Sequence, residues 1–256
     1  MDTDREITSH LDGHVATVTF RRAQHNYLDL DLVRELADHL DELGANAWCR
    51  AIVLHSGGQS FSAGANFSRG GDGLQDTGPA EFYRQAMRLF DVKKPIIAAV
   101  RGAAIGAGAG LAVAADFRVT CPEARFSFNF NRIGIHPGFG LTCTLPRLIG
   151  AQKSALLFYT GRRLDGEEAV RIGLADLLVP RDEVLAHAQA LAAEIAQSAP
   201  LAVASTRAAL REELVADARA MNRQELAAQE SQLRSEDFQE GVLAMTERRT
   251  PLFLSR

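Results

Sequence analysis

Residues 102–116 read Gly-Ala-Ala-Ile-Gly-Ala-Gly-Ala-Gly-Leu-Ala-Val-Ala-Ala-Asp, and no side chain before Asp116 can do acid, base or nucleophilic chemistry. The apolar run Pro-Ile-Ile-Ala-Ala-Val at 95–100 comes just before and predicts a buried strand that leads into a helix. The first N–H groups of such a helix lack intrahelical partners, and its dipole makes that end mildly positive. Small residues let a ligand approach this main chain closely. The stretch therefore predicts either a backbone site for an oxyanion or a turn that packs a helix tightly on a sheet.

A dinucleotide-binding turn is a third interpretation, but the spacing of the glycines and of Asp116 does not fit it. Gly106, Gly108 and Gly110 are spaced as G-x-G-x-G, so Leu111 stands where the third glycine of G-x-G-x-x-G belongs. Asp116 also comes too soon to be the acidic residue that binds a ribose. The sequence contains neither a GxxxxGK[ST] phosphate loop nor a GxSxG turn. We therefore expect no binding of NAD.

A second turn rich in small residues follows another predicted strand. Residues 51–55, Ala-Ile-Val-Leu-His, are typical of a short buried strand, and Ser-Phe-Ser-Ala-Gly-Ala-Asn-Phe follows at 60–67. Turns that leave neighbouring strands can point two N–H groups at one oxygen. An oxyanion hole of this kind stabilises an enolate or a tetrahedral anion by several kcal/mol in a dry site. Together, the two turns favour the oxyanion interpretation over packing alone.

Composition and charge describe an ordinary globular chain and exclude several classes of function. The 256 residues are 46% hydrophobic and 23% charged with a net charge of -4, and no block of Lys and Arg indicates a nucleic-acid partner. Cys49, Cys121 and Cys143 are odd in number and far apart, so we expect neither a disulfide framework nor a metal site. The acidic start Met-Asp-Thr-Asp-Arg-Glu does not resemble a signal peptide, and the apolar run 102–115 is shorter than the roughly 20 residues of a membrane span. We expect a cytoplasmic protein with no membrane partner.

The remaining patterns predict an α/β layer with parallel strands, followed by a helical part. In chain order they indicate a hairpin at Asp12-Gly13, a helix at 32–43, a long irregular loop at 56–78, a helix at 81–90, short strands at 117–120 and 125–130, and helical periodicity from about residue 141 to 247. Alternation of strand, loop and helix is typical of a parallel sheet.

Five segments, in order and at compatible spacings, make the chain resemble the enoyl-CoA hydratase/isomerase (crotonase) superfamily. They are 61–67, similar to the first oxyanion loop F-x-A-G-A-D-[IL]; 100–116, similar to the second, V-x-G-x-A-x-G-G-G-x-E; 133–140, similar to L-G-x-x-P-G-x-G; 161–179, similar to T-G-x-x-x-x-A-x-E-A followed by G-L-V-x-x-V; and 235–253, similar to S-x-D-x-x-E-G followed by R-x-P-x-F. The resemblance implies a crotonase-like spiral of β-β-α turns at 1–195. It also implies a helical oligomerisation region at 196–256 that packs into a homotrimer, often doubled to a homohexamer.

The resemblance also implies which groups bind substrate. The N–H groups of Ala65 and Ala107 would hold the thioester oxygen of an acyl-CoA, so that coenzyme A enters as part of the substrate and no cofactor is bound. Ala107 stands where the family usually has Gly, a change that a backbone donor survives. Arg249 would contact CoA phosphates, or else is a solvated terminal Arg. The other implied substrate-binding positions are Ala63, Asn66, Phe67, Gly106, Gly110 and Phe130.

The chain departs from the family pattern at its acid/base residues. Hydratases of this family use two glutamates to position and deprotonate water, and the matching positions here are Gly110 and Phe130. General acid/base catalysis contributes roughly 10²- to 10⁴-fold per group, so the loss of both puts hydration of 2-enoyl-CoA in doubt. Isomerases often keep one of these carboxylates, so ordinary isomerisation is in doubt too.

His136 is the candidate for a replacement base. It lies in a loop from which some relatives supply an acidic catalytic residue, and an imidazole can act near neutral pH. The alternative is a histidine whose hydrogen bond closes the turn at Pro137. Asn66 would either orient substrate or fix its own loop by an Asx turn. Asn129 alternates with the Phe residues around it, so we expect it to face away from Phe130.

Several reactions remain open for such a chain. An intact oxyanion hole without the glutamates suits an acyl-CoA hydrolase, a decarboxylase or a lyase of C–C bonds as well as a hydratase. A different class of function is a catalytically inactive subunit that binds acyl-CoA.

Overall fold

The computed structural model describes residues 5–66 and 78–256. The helices are α1 (Leu30–Ala45), α2 (Pro79–Arg88), α3 (Ala107–Ala114), α4 (Leu141–Ile149), α5 (Ala151–Thr160), α6 (Gly166–Arg171), α7 (Val184–Ala196), α8 (Pro200–Gln232) and α9 (Glu236–Glu247). The strands are β1 (Arg5–Asp12), β2 (Val15–Arg22), β3 (Tyr27–Leu28), β4 (Ala51–Ser56), β5 (Gly64–Ala65), β6 (Ile96–Val100), β7 (Ala103–Ile105), β8 (Phe117–Thr120), β9 (Arg125–Ser127), β10 (Arg163–Asp165) and β11 (Leu177–Leu178). Short 3₁₀ helices span Asn129–Ile133 and Arg181–Glu183.

A six-stranded sheet in the order β1-β2-β4-β6-β8-β11 forms the centre of the fold. β1 and β2 are antiparallel around a turn at Gly13, and the other neighbours are parallel. Every residue of β4 and β6 is buried, as expected for strands covered on both faces. The predicted hairpin and both predicted buried strands are therefore confirmed.

The chain repeats one unit of two strands and a helix, seen in β2-β3-α1, β4-β5-α2 and β6-β7-α3. The first strand of each unit lies in the central sheet, whereas the second leaves it: β3 pairs with β5, and β7 joins β9 and β10. This is the predicted spiral of β-β-α turns. Because β4 and β6 are neighbours, the chain leaves the sheet after each of them at adjacent places.

Helix α1 shows how the sequence pattern becomes packing. Its buried residues, spaced three and four apart, include Leu32, Leu36, Leu40 and Leu43. The side chain of Asp29 accepts the N–H of Leu32 at 2.8 Å and caps the helix N-terminus. The apolar stripe and the cap together explain a helix whose buried residues fall within the predicted range.

The C-terminal part is largely helical, as predicted. α7 packs against β2, β4, β6 and β8, whereas the 33-residue α8 packs against α2 and α4. The predicted boundary at 195 and 196 falls at the end of α7, and the division into two regions stays a prediction. No helix in the described part of the chain is both long and apolar enough to span a bilayer.

Two local predictions differ from the structure. The strand predicted at 125–130 ends at Ser127, where the chain enters the 3₁₀ helix Asn129–Ile133. Two short strands, β10 and β11, also lie within the part predicted to be helical. Strands of three and two residues are too short for periodicity to reveal them, since β10 and β11 form only by pairing with β9 and β8.

Candidate active site

The first turn, residues 60–66, is anchored by a buried asparagine and a buried ring. The amide of Asn26 donates to Ser60 O at 3.0 Å and accepts the N–H of Arg22 at 2.7 Å. Asn26 has a φ of +51°, a conformation that Asn adopts more easily than most residues. Phe61 meets Phe20 edge-on in the core, with ring centroids 5.4 Å apart. Asn26 was not among the predicted site residues, because its long-range bonds leave no local signal.

Ser62 joins the first turn to the second turn, the stretch of small residues that begins at Gly102. Its N–H donates to Ala103 O at 2.9 Å, and its carbonyl accepts the N–H of Ile105 at 3.0 Å. Its hydroxyl accepts the N–H of Gly64 at 3.2 Å. The two turns that the sequence predicts as neighbours are therefore hydrogen-bonded to each other.

Two glycines permit this close approach. A Cβ added at Gly64, whose φ is +98°, would lie 2.8 Å from Ile105 O and 3.9 Å from the nitrogen of Ala107. A Cβ added at Gly108 would lie 2.5 Å from Ser62 O. Any side chain at either position would force the turns apart. The glycines thus provide tight packing, and that packing brings Ala107 next to the first turn.

The N–H of Ala65 points away from the strand beside it. β5 pairs with β3 in a parallel register that places Ala65 beside Leu28, and the N–H of Asn66 donates to Leu28 O at 2.9 Å. In a parallel ladder a residue bonds to the two neighbours of its partner, so Asn66 and Gly64 face β3 and Ala65 faces the other side. The Ala65 donor is therefore directed away from β3.

The N–H of Ala107 has no intrahelical acceptor because Ala107 opens α3. The first hydrogen bond of this helix runs from Gly110 N to Gly106 O at 3.0 Å, and no side chain caps the helix. Ala107 is only 1% exposed, so its donor lies in a dry, low-dielectric place. Such a helix start is suited to bind negative charge.

Two buried arginines hold the opposite end of α3. The guanidinium of Arg118, 2% exposed, donates to Ala112 O at 3.3 Å and to Ala115 O at 3.0 Å. Arg211 donates to Ala114 O at 2.9 Å. Cations at a helix C-terminus satisfy its last carbonyls and oppose its negative end. Neither arginine was predicted, because their contacts span up to 97 residues of sequence.

Phe139 fills the space beside Gly110. A Cβ added at Gly110 would lie 2.7 Å from both Cβ and Cγ of Phe139. Phe139 has a φ of +67°, which bulky residues rarely adopt, and its ring lies 6.5 Å from that of Phe82. Position 110, where the resemblance places the first glutamate, therefore accepts no side chain unless Phe139 moves.

Phe130 and Asn129 both lie at the second turn. A Cβ added at Gly106 would lie 3.9 Å from Phe130 Cζ and 3.7 Å from Asn129 Oδ1. The prediction that Asn129 faces away from Phe130 is wrong, because the 3₁₀ helix ends the twofold alternation of a strand. Neither side chain ionises, so position 130, where the resemblance places the second glutamate, carries no group for acid/base work.

His136 lines a cavity of the described part of the chain. Its Nδ1 is 2.7 Å from Pro137 O, so Nδ1 carries the proton and Nε2 is the basic nitrogen. The cavity measures about 490 Å³, and its lining includes neither Ala65 nor Ala107. Side chains in that lining include Asn131, Thr142, Phe158, Tyr159 and Gln232. His136 thus makes the turn-closing contact that was its alternative interpretation, and its catalytic role stays a prediction.

Helix α8 fixes the loop that carries His136. Gln229 Nε2 donates to His136 O at 2.6 Å, and the N–H of His136 donates to Gln232 Oε1 at 2.7 Å. The hydroxyl of Tyr83 packs so closely that a Cβ added at Gly138 would lie 2.0 Å from it. Burial raises the pKa of Tyr83, which keeps the phenol neutral.

Arg249 is bound by two carboxylates of α9. Its guanidinium lies 2.6 Å from Glu247 Oε2 and 2.5 and 2.7 Å from the two carboxylate oxygens of Glu240. The contact with Arg249 lowers the pKa of Glu240 to about 2. The charge of Arg249 is therefore compensated within the chain, and its binding to CoA phosphates stays a prediction.

The remaining predicted positions flank the two turns. Ala63 and Asn66 are half-buried in the first turn, and Gly106 is half-buried at the start of α3. Phe67 lies outside the described residues. Within residues 5–66 and 78–256, no three or more side chains of His, Cys, Asp or Glu gather in a way that could hold a metal ion.

Comparison with known proteins identifies the family. The family model described as enoyl-CoA hydratase/isomerase matches residues 11–256. A probable enoyl-CoA hydratase of Bacillus subtilis is 34% identical over 252 residues, which cover 96% of this chain and 98% of that protein. A carnitinyl-CoA dehydratase of Escherichia coli K12 is 33% identical over 253 residues, covering 96% of this chain and 97% of that protein. The crystal structure of an enoyl-CoA hydratase/isomerase from Pseudoalteromonas atlantica matches with a TM-score of 0.87 at 27% identity, covering 97% of this chain and 99% of that one.

A β-β-α spiral with a helical C-terminal part, matched over nearly the whole chain by such proteins, defines an enzyme that processes acyl-CoA. The chain belongs to the enoyl-CoA hydratase/isomerase family of the crotonase superfamily. The predicted fold class, family and enzyme class are thereby confirmed.

Proposed function

We propose that this enzyme stabilises the enolate, or a related oxyanion, of an acyl-CoA thioester with the N–H groups of Ala65 and Ala107. The observation that carries the proposal is the junction of the two turns, where a Cβ added at Gly64 would lie 3.9 Å from the nitrogen of Ala107. Negative charge that develops on the thioester oxygen would gain two backbone hydrogen bonds and the positive end of α3. Ala63, Asn66, Phe67 and Gly106 would line the bound acyl thioester.

The residues around this oxyanion hole limit its chemistry. Gly110 and Phe130 stand at the two glutamate positions, and Phe139 occupies the space that a side chain at 110 would need. Since each acid/base group contributes roughly 10²- to 10⁴-fold, hydration of 2-enoyl-CoA is not the reaction that this arrangement supports best.

A reaction that forms the enolate without a protein base fits the arrangement better. When a 2-carboxyacyl-CoA loses CO₂, the bond between Cα and the carboxylate breaks and its electron pair remains as the enolate. The oxyanion hole holds the enolate oxygen, and Cα then takes a proton from water. Phe130 is 4% exposed and offers an apolar neighbour, which disfavours a charged carboxylate relative to neutral CO₂. Decarboxylation is therefore our first candidate reaction.

Addition or elimination of water is the second candidate, and the names of the relatives favour it. One is a probable enoyl-CoA hydratase and the other a carnitinyl-CoA dehydratase, at 34% and 33% identity. In this case Nε2 of His136 would act as the base. The hydrogen bond between Nδ1 of His136 and Pro137 O weighs against that role, because it ties the ring to its own turn.

Mass spectrometry of two thioesters separates the candidates. Malonyl-CoA and crotonyl-CoA are incubated with the enzyme, and we expect acetyl-CoA from the first and no hydrated product from the second. Hydration of crotonyl-CoA that disappears in His136→Ala would overturn the first candidate and support the second. Release of free CoA would indicate hydrolysis. Binding of both thioesters without turnover would indicate an inactive acyl-CoA-binding subunit.

We also propose that the helices of region 196–256 assemble the chain into a homotrimer or homohexamer. Leu201 and Leu210 on α8 are 86% and 78% exposed, and apolar side chains so exposed are common at subunit interfaces. Light scattering of the protein as it elutes from a size-exclusion column measures the number of chains in the assembly. A monomer would contradict the proposal.

A further inference from the structure

Phe139 is held against α3 in a backbone conformation that bulky residues rarely adopt. Its φ of +67° lies in the left-handed region, and its side chain is only 1% exposed. The ring meets that of Phe82 edge-on, with centroids 6.5 Å apart. Local preference does not explain this conformation, so the surrounding structure has to hold it.

Helix α8 supplies that support on both sides of Phe139. The buried carboxylate of Glu225 accepts the N–H of Gly140 at 2.7 Å. On the other side, Gln229 Nε2 donates to His136 O at 2.6 Å. A buried carboxylate that loses a donor costs more than an ordinary hydrogen bond, so this anchor is difficult to break. Phe139 is therefore fixed by α8 as well as by its own loop.

The ring of Phe139 and the first turn lie on opposite sides of α3. Ser62 is the residue nearest to a Cβ added at Gly108, and Phe139 is the residue nearest to one added at Gly110. Two positions that are two residues apart in an α-helix are separated by about 200° around its axis. The side of α3 opposite the first turn is therefore covered by Phe139.

A second aromatic ring lies beside the start of α3. Phe130 Cζ would lie 3.9 Å from a Cβ added at Gly106, the residue before Ala107, and Phe130 is 4% exposed. Both rings are apolar and buried, so the wall that they form favours a hydrocarbon over a charged group. An acyl group whose thioester oxygen lies at the N–H of Ala107 would meet the rings of Phe130 and Phe139 beyond the first turn.

We propose that Phe139 determines the size of the acyl group and restricts the enzyme to thioesters of short acyl groups. The inference rests on the proposed function, since it takes the thioester oxygen to lie at the start of α3. A Cβ at Gly110 would already lie 2.7 Å from Phe139, so a long acyl chain on this side of α3 has to displace the ring. Close packing resists such a displacement, because the ring contacts Phe82 and α8 holds the backbone beside it.

The test compares Phe139 with a phenylalanine at the opposite end of α3. Phe90 is 2% exposed, and its ring lies under the guanidinium of Arg211, which donates to Ala114 O at the end of the helix. The ligands are CoA and analogues of acetyl-CoA and octanoyl-CoA in which CH₂ replaces the thioester sulfur, so that binding is measured without turnover. Calorimetry on the full chain compares wild type, Phe139→Ala, Phe139→Leu and the control Phe90→Leu, with melting curves for each.

Wild type should bind the octanoyl analogue no more tightly than the acetyl analogue, despite its longer hydrocarbon chain. Each buried CH₂ group strengthens binding about fourfold, so room for two of them in Phe139→Ala should tighten binding of the octanoyl analogue about tenfold or more. Phe139→Leu should give a smaller gain, and it keeps the test decisive if the alanine variant does not fold. We expect the affinities for CoA and the acetyl analogue to change less than about twofold in both, and Phe90→Leu to leave all three affinities unchanged.

Two outcomes would overturn this inference alone. One is a wild type that already binds the octanoyl analogue about tenfold more tightly than the acetyl analogue. The other is a gain in octanoyl affinity that is absent from both Phe139 variants, or that is equally large in Phe90→Leu. A wild type that binds neither CoA nor either analogue would overturn the proposed function and this inference with it.

Discussion

The two ends of α3 are built in opposite ways. At its start, Gly106 and Ala107 carry no polar side chain, and no side chain caps the helix. At its end, Arg118 and Arg211 donate to the last carbonyls from within the core. The start leaves its donors free for a ligand, whereas the end has its acceptors satisfied.

Asp116 helps to anchor the C-terminal end of α3. Its carboxylate accepts the N–H of Ile96 at 2.8 Å and ion-pairs with Arg207 and Arg211, each at 3.0 Å. Asp116, two residues after the end of α3, thereby ties this end of the helix to β6 and to α8. A helix is stiff, so anchoring one end orients the other. Free backbone donors can thus be held in place by side chains that never touch a ligand.

Removal of an N–H donor from the start of α3 should have the largest effect on activity. Proline is compatible with the first helical position, so Ala107→Pro deletes one N–H without breaking α3. We expect the turnover of whichever thioester is processed to fall about 10²- to 10³-fold, the usual effect of losing one oxyanion donor. Ala107→Gly keeps the N–H and serves as the control, with melting curves for both. Full activity in Ala107→Pro would show that the N–H of Ala107 is not catalytic.

Loss of a charge from the fixed end should act on stability. Arg118→Met leaves buried carbonyls without donors, and we expect the free energy of unfolding to fall by about 3 kcal/mol or more. The control is Arg125→Met, since Arg125 is exposed and a change there should stay within about 0.5 kcal/mol. Urea unfolding measures both. A loss below about 1 kcal/mol in Arg118→Met would show that this arginine does not hold the end of α3.

Gly110 lies in the middle of α3, and Gly44 in α1 is a helical glycine that serves as its control. Helix propensity alone predicts that Gly→Ala stabilises by up to about 1 kcal/mol, and we expect this at Gly44, where an added Cβ meets only Lys93 N at 3.8 Å. At Gly110 the Cβ would meet Phe139 at 2.7 Å, so we expect Gly110→Ala to destabilise by about 1–3 kcal/mol. Thermal unfolding compares the two. Stabilisation at both positions would mean that Phe139 moves aside easily.

The smallest effect concerns the strand that leads into the first turn. Burial, with a contribution from nearby Arg101, lowers the pKa of His55 to about 4, and its Nδ1 has no partner among the described residues. The folded pKa lies below the unfolded value, so stability is complete above the unfolded pKa and falls as the pH drops toward the folded one. We expect a loss of about 0.7 kcal/mol between pH 7 and pH 6. Urea unfolding of wild type and His55→Gln at each pH measures this loss. If the free energy of unfolding fell equally between pH 7 and pH 6 in both proteins, the loss would not come from His55.

Local patterns predicted much of the fold because its elements are regular. The stripe that contains Leu36 and Leu40 indicated α1, and Asp12-Gly13 indicated the hairpin. β10 was not predicted, since three residues carry no periodicity. The 3₁₀ helix at Asn129–Ile133 was mistaken for a continued strand, because its alternation of Phe and Asn imitates a strand.

The candidate site divides in the same way. The turns that contain Ala65 and Ala107 were visible as runs of small residues, because a backbone site needs little else from the sequence. Asn26, which fixes the first turn, was missed because its partner Ser60 lies 34 residues away. The role of His136 stays a prediction with two interpretations, and its bond to Pro137 O is the contact expected of the second.

From the sequence came the family, the spiral of β-β-α turns, the two backbone turns and the absence of glutamate at 110 and 130. Each of these follows from residues that are close together in the chain. Only the tertiary structure decided that Phe139 fills the space beside Gly110, that Ser62 bonds to both sides of the second turn and that Nδ1 of His136 bonds to Pro137 O. Those outcomes depend on contacts between distant segments, and packing and charge select such contacts only when the whole chain is folded.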